Sequence, residues 1–193
     1  MSILKKYARL LTHYCLEVQP GDKVFIQTTL FALSLLREVY AAAYEAGASL
    51  VEYDLAFRER ERLLYAHADD AALTTVPLFY QTAMETFDCF LAIRAPYNLR
   101  DQSSATPEQR QLRTRATAMA QKLYFERTAT RELRRNLCQY PTDAAAQEAG
   151  MCLSDYETFV FRACKLFADD PAAAWRQVRA DQQRITDRLN RCS

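Results

Sequence analysis

The sequence predicts an α/β fold: a layered domain with a mostly parallel sheet of about four or more strands flanked by helices, followed by an all-helical C-terminal segment. Three observations predict it. Short β-branched or aromatic runs alternate with longer stretches that carry a helical repeat. The intervening stretches have the length that a crossover between parallel strands needs. The third run, DCFLAIR over residues 88–94, is almost wholly apolar, as a strand covered on both faces must be.

The elements follow in order. Ile3, Leu4, Tyr7, Leu10, Leu11, Tyr14 and Val18 share one helical face, and Pro20-Gly21-Asp22 supplies the turn that ends it. Residues 23–28, KVFIQT, read as a strand. Leu33, Leu36, Val39, Tyr40 and Ala43 form the next helical stripe, which Gly47 closes from the position after the C-cap. SLVEYD over 49–54 is a second strand, and FRERERLLYAHADDAAL and VPLFYQTAMETF read as helices, with Pro77 in a first turn. A loop, APYNLRDQSSA, leaves the third strand. Thr106 then caps a helix with Pro107 at N1 and Gln109 at N3, running to about Thr128. Residues 131–140 fit a helical extension, and Leu137-Cys138-Gln139-Tyr140 before Pro141 equally fits a fourth strand.

Near Pro141 strands give way to helices, so residues 141–193 form a helical segment of a single domain spanning 1–193. In GMCLSDYETFVFRACKL, Gly150 ends a short helix. Ser154 is the expected N-cap, with Glu157 closing a capping box and Asp155 in the first turn, leaving Cys152 outside the helix. Phe159 or Val160, with Ala163, Cys164 and Phe167, form the expected buried face. The last helix starts at Asp170-Pro171 and repeats Trp175, Val178, Gln182, Ile185 and Leu189 as a narrow apolar seam on a polar helix. That seam either packs on its own domain or docks against another domain or subunit. The chain stops at Arg191-Cys192-Ser193 without a C-cap glycine, which points to more protein following.

Composition excludes several classes. Half of the 193 residues are hydrophobic and a quarter charged, the balance of a globular domain. A net charge of +1, from 25 basic and 24 acidic residues, argues against nucleic acid or an anionic membrane as partner. No apolar run approaches the ~20 residues of a membrane span. Lys5, Lys6 and Arg9 interrupt the N-terminus, so it does not read as a signal peptide, and a cytoplasmic location is the expectation. Six cysteines, at 15, 89, 138, 152, 164 and 192, form no CxxC pair and read as reduced thiols.

The chemistry-bearing residues are sparse. His13 and His67 are the two histidines, each isolated and outside any HExxH or HxH pattern, so no metal site is expected. No GxSxG elbow occurs, and the three glycines are too scattered for a phosphate loop. Glu59, Glu61, Asp69 and Asp70, interleaved with Arg58, Arg60 and Arg62, read as a solvated helix face. The loop after the third strand is more suggestive. It leaves the C-terminal end of the most buried strand, the edge where ligands collect in open α/β sheets. Arg94, Tyr97 and Asn98 are the candidate pocket residues there, against the plainer reading of a turn shaped by Pro96 and Asn98.

Several stretches together resemble a family. LLTHYCLEVQPGDKVFIQ, LLREVYAAAYEAGA, YPTDAAAQEAGMCLSDYETFVFRACKL and DDPAAAWRQV, in this order, are similar to the N-terminal half of the thermophilic-type metallo-aminopeptidases, the aminopeptidase T and aminopeptidase S group. The resemblance covers nearly the whole chain, and the block from Tyr140 to Lys165 is its most specific part. It implies a dimeric two-domain enzyme that releases N-terminal amino acids from peptides with two divalent metal ions, such as zinc or cobalt. It also implies that the metal ligands lie in a C-terminal domain beyond these residues. The expectation is therefore a non-catalytic portion, with no cofactor of its own. It would contact the catalytic domain or a second subunit through Trp175, Val178, Ile185 and Leu189. A stand-alone α/β interaction or small-molecule-binding module without peptidase activity is the alternative.

Overall fold

The computed structural model describes residues 1–191; the sixth cysteine, Cys192, lies outside them. Four parallel strands form one sheet in the order β2-β1-β3-β4: β1 Lys23–Thr29, β2 Leu50–Ala56, β3 Cys89–Arg94 and β4 Arg134–Gln139. The ambiguous segment is therefore a strand. Its polar run, RRNLCQ, gives no clear period, and only pairing with all of β3 (Cys89↔Arg134 through Arg94↔Gln139) selects the extended form.

Helices cover both faces. On one lie α1 (Ile3–Arg9) and α2 (Leu33–Glu45), joined by α8 (Leu153–Ala163), which follows the short α7 (Asp143–Glu148), and by the start of α9 (Pro171–Asn190). Tyr7, Leu11, Leu16, Leu35 and Val39 pack there against Val24, Ile26 and Leu91. On the other lie α5 (Leu78–Thr86) and α6 (Pro107–Ala129), where Met84, Phe87 and Ala120 meet Phe25 and Phe90. β3 thus contributes to both cores, as its apolar sequence demands. Each fully buried side chain of this kind contributes about 1.5–3 kcal/mol of transfer free energy.

The first helix continues beyond α1 as a π-helical turn over Leu10–Cys15, so the apolar face is continuous although the helix type changes. Gly47, at φ +98°, ends α2 in a Schellman motif: Ala48 N–H donates to Ala43 O and Gly47 N–H to Tyr44 O. The Thr106 capping box forms in full. No helix among the described residues is long and apolar enough to cross a membrane.

Several expectations are corrected. The single helix expected across FRERERLLYAHADDAAL is two, α3 (Arg60–His67) and α4 (Asp70–Thr74), because Asp69 accepts from the Ala72 N–H and starts a new helix. The acidic residues there do not share one helix face: Glu59 precedes α3 in a left-handed conformation, while Asp69 is a cap. Pro77 is the N-cap of α5 rather than a first-turn residue. α8 starts two residues earlier than its S-x-x-E pattern implies. Its N-cap is Cys152, with Ser154 inside the helix and its hydroxyl 3.2 Å from the Cys152 thiol. The buried face of α8 accordingly falls on Val160 and Phe161, and Leu166 follows it into the core, leaving Phe159 and Phe167 exposed. Leu33 and Tyr40 in α2 are likewise exposed, the buried stripe being Leu35, Leu36, Val39, Ala42 and Ala43.

Trp175 docks α9 on the domain by donating its indole N–H to Cys164 O at 3.1 Å. Beyond Val178 the seam leaves the domain surface, and Ile185 and Leu189 are 61% and 65% exposed.

Candidate functional site

The strand order creates the site. From β1 the chain reaches β2 through α2 on one face, and then reaches β3 through α3, α4 and α5, with α5 on the opposite face. The order reverses between β1 and β3, and a crevice forms outside their C-terminal ends. The ladders show it opening. β1 pairs with β2 as far as Thr29↔Ala56, but with β3 only as far as Gln27↔Ala92. Past that point side chains take over, Thr28 Oγ1 donating to Ile93 O at 2.9 Å and Thr29 Oγ1 to Ala95 O at 2.6 Å.

The crevice has a volume of about 800 Å³, within the range of small-molecule sites. Its floor is Gln27, Thr28, Ala92 and Ile93, and its walls are Asp54 and Arg60 on one side and Arg113, Thr117 and Gln121 of α6 on another. Leu78 and Phe79, in the first turn of α5, form an apolar rim at 72% and 88% exposure. Arg60 Nη1 holds both Asp54 oxygens, at 2.8 and 3.0 Å, and Gln27 Nε2 reaches Asp54 Oδ2 at 3.3 Å. Tyr65 and Tyr80 also line it. Burial raises the pKa of both, helped by Glu61 for Tyr65 and by Tyr124 for Tyr80, so both phenols stay protonated and neutral.

Of the three candidate residues, Arg94 lines this crevice, while Tyr97 and Asn98 do not. The Tyr97 ring packs on Phe31, centroids 4.3 Å apart, and Asn98 Oδ1 accepts from the Arg100 N–H in the tight turn that its residue type favours. Asp54, Arg60 and the Leu78–Phe79 rim carry no motif. The available signal was the polar run Gln27-Thr28-Thr29 at the end of a strand whose centre, Val24-Phe25-Ile26, is apolar.

A second cleft, of about 880 Å³, opens between the N-terminal ends of α1 and α2 and the segment around Tyr140, where Ser34 and Tyr140 hydroxyls lie 3.0 Å apart. Arg37, Glu38, Asp143 and Glu157 line it, all from helices and none from a strand end.

The residues present do not fit a di-metal centre. Among the described residues no group of three or more His, Cys, Asp or Glu is placed to hold a metal ion. His13 sits in the π-helical turn, its pKa lowered by burial and by Arg9, and His67 ends α3 on another part of the surface. Cys138 and Cys164 lie near the Tyr7 hydroxyl and Cys15 lies near these two thiols, but burial pushes Cys15 up to about 11 and Cys138 up to about 12, so Cys15 and Cys138 remain thiols at neutral pH.

Comparison with known proteins gives one consistent result. A family model described as Thermophilic metalloprotease (M29) matches residues 1–193. Aminopeptidase 2 of Geobacillus stearothermophilus is 31% identical over 201 residues, covering 97% of this chain and 48% of that protein. The structure of wild-type AmpT from Thermus thermophilus superimposes with a TM-score of 0.72 at 22% identity, over 91% of this chain and 45% of that one, which shows the shared fold. The chain spans about half the length of the relatives it matches.

Proposed function

The chain belongs to the thermophilic metalloprotease (M29) family, and from that premise we propose that it is the N-terminal, non-catalytic portion of a metal-dependent aminopeptidase. In this reading the whole protein releases N-terminal amino acids from peptides in the cytoplasm, using two divalent ions such as zinc or cobalt. The metal ligands belong to residues outside this chain. The observation that carries the proposal is a pairing: a match along the whole chain to a metalloprotease family, and, among the described residues, a donor set that does not fit the metals. The exposed Ile185 and Leu189 on the outer half of α9 are the proposed contact with a catalytic domain or a second subunit, in keeping with the family resemblance.

The test is an assay of the purified chain with cobalt or zinc and an aminoacyl chromogenic substrate. The expected result is no turnover above buffer, and robust turnover that survives repurification would overturn the proposal. A second reading, a stand-alone binding module without peptidase activity, is favoured by the crevice at the strand tips. The mass of the denatured polypeptide isolated from its natural source separates the two: a mass near 22.2 kDa supports the module, and about twice that supports the aminopeptidase.

A further inference from the structure

We propose that the crevice at the tips of β1 and β3 binds a small carboxylate that carries an apolar side chain, with Arg94 holding the carboxylate. This rests on reading the crevice as a ligand pocket.

The charges in the crevice single out Arg94. Arg60 is committed to Asp54, and Arg113 Nη1 donates to Thr75 O at 3.1 Å. Among the described residues the Arg94 guanidinium makes no hydrogen bond or ion pair, although Glu61 lines the same crevice and Glu148 lines the recess on the other side of Arg94. It projects from the last residue of β3, where the backbone is held by the Tyr140 N–H on Arg94 O at 2.8 Å. A guanidinium on a fixed strand end offers the planar two-donor fork that a carboxylate accepts.

The sign and size of the ligand's charge follow. Asp54 and Arg60 cancel, leaving Arg94 and Arg113 against Glu61, a surplus of one positive charge along the lining. That surplus suits a monoanion. A phosphate group would set its second negative charge against Glu61, and the crevice has no glycine loop to cradle it. The apolar half follows from Leu78 and Phe79. These two adjacent large apolar side chains are largely exposed, on the rim of a crevice that Ala95 and Pro96 also line. An apolar ligand side chain placed between them would remove that surface from water.

Calorimetric titration of the 193-residue chain with three probes tests this: N-acetyl-L-leucine, N-acetyl-L-leucinamide and inorganic phosphate. Saturable binding of the acid is expected. It should weaken at least about tenfold in the amide and in Arg94→Ala, the loss that follows from removing one charge-assisted contact. Phe79→Ser should weaken acid and amide alike. Arg94 is exposed, so Arg94→Ala and Arg94→Gln should keep the wild-type melting temperature, which separates loss of binding from loss of fold. The proposal is overturned if the acid does not saturate, if folded Arg94 variants bind it as well as wild type, or if phosphate binds as tightly. Peptidase turnover by the chain would sink the non-catalytic reading and leave this site standing. Loss of Arg94 dependence would do the reverse.

Discussion

Arg134, the first residue of β4, donates to Asp22 Oδ2 at 2.5 Å, across the residues that begin β1 and β3. The same Asp22 oxygen accepts the Gln19 N–H, and the Cys89 thiol lies 3.8 Å away. Asp88 works beside it: its carboxylate accepts the Lys23 N–H at 2.8 Å and its carbonyl accepts the Arg134 N–H at 2.8 Å. Three strand starts are thereby locked together at the end of the sheet opposite the crevice.

The Asp22–Arg134 pair is mostly buried, the side chains 13% and 18% exposed. Removing one partner leaves a desolvated charge. Asp22→Ala and Asp22→Asn should each destabilise by about 3 kcal/mol, measured by urea unfolding with the denaturant slope unchanged. A loss under about 0.5 kcal/mol would show the pair to behave like a surface contact.

Gly21 and Gly47 separate strain from crowding. Both have strongly positive φ, +91° and +98°. A Cβ at Gly21 meets nothing within 4 Å, whereas one at Gly47 lies 3.0 Å from Pro20 Cα. Gly21→Ala should cost about 1 kcal/mol from backbone strain alone, and Gly47→Ala about 1–2 kcal/mol more, read from thermal or urea melts. Equal costs would mean that Pro20 moves freely.

Alkaline pH should destabilise the fold. Burial pushes the Cys89 and Cys138 thiols from 9.0 up to about 12. The unfolded chain therefore loses these protons first, binds fewer protons than the folded one above pH 9, and stability falls as pH rises. The contribution is complete below pH 9 and is lost between there and about 12. Melting temperatures at steps from pH 7 to 11 should be level to about 8.5 and then decline. Cys138→Ala should make the decline shallower.

Trp175 and Ile185 should behave differently although they share a seam. Trp175→Ala removes a partly buried ring and its bond to Cys164 O, and should cost about 2–3 kcal/mol in the isolated chain. Ile185→Glu and Leu189→Glu change exposed positions and should shift stability by less than about 0.5 kcal/mol. In the longer protein that the proposed function implies, the same two substitutions should weaken domain or subunit association, measured by sedimentation or limited proteolysis.

Local chemistry was legible where it was self-contained. The Thr106–Gln109 capping box forms with both bonds, at 3.2 and 3.0 Å, because every atom it needs lies within one turn. The same pattern at Ser154 and Glu157 fails, since packing of Val160 and Phe161 against the first core sets the helix start at Leu153. At the crevice, Arg94 follows from its place at the end of an apolar strand. Leu78 and Phe79 do not: an apolar pair in a helix's first turn looks like core until the neighbouring elements are in place.

By itself the sequence determined the types of most elements, the glycine-closed end of α2, the apolar β3 and the family resemblance. All of these reside in periodicity, turn residues or contiguous motifs. The tertiary structure alone decided the order β2-β1-β3-β4, the strand state of residues 134–139, the half-docked α9 and the opening between β1 and β3. The reason is physical. Side-chain period states which face of an element is apolar, but strand neighbours and helix faces are chosen by hydrogen bonds and packing between residues distant in the chain.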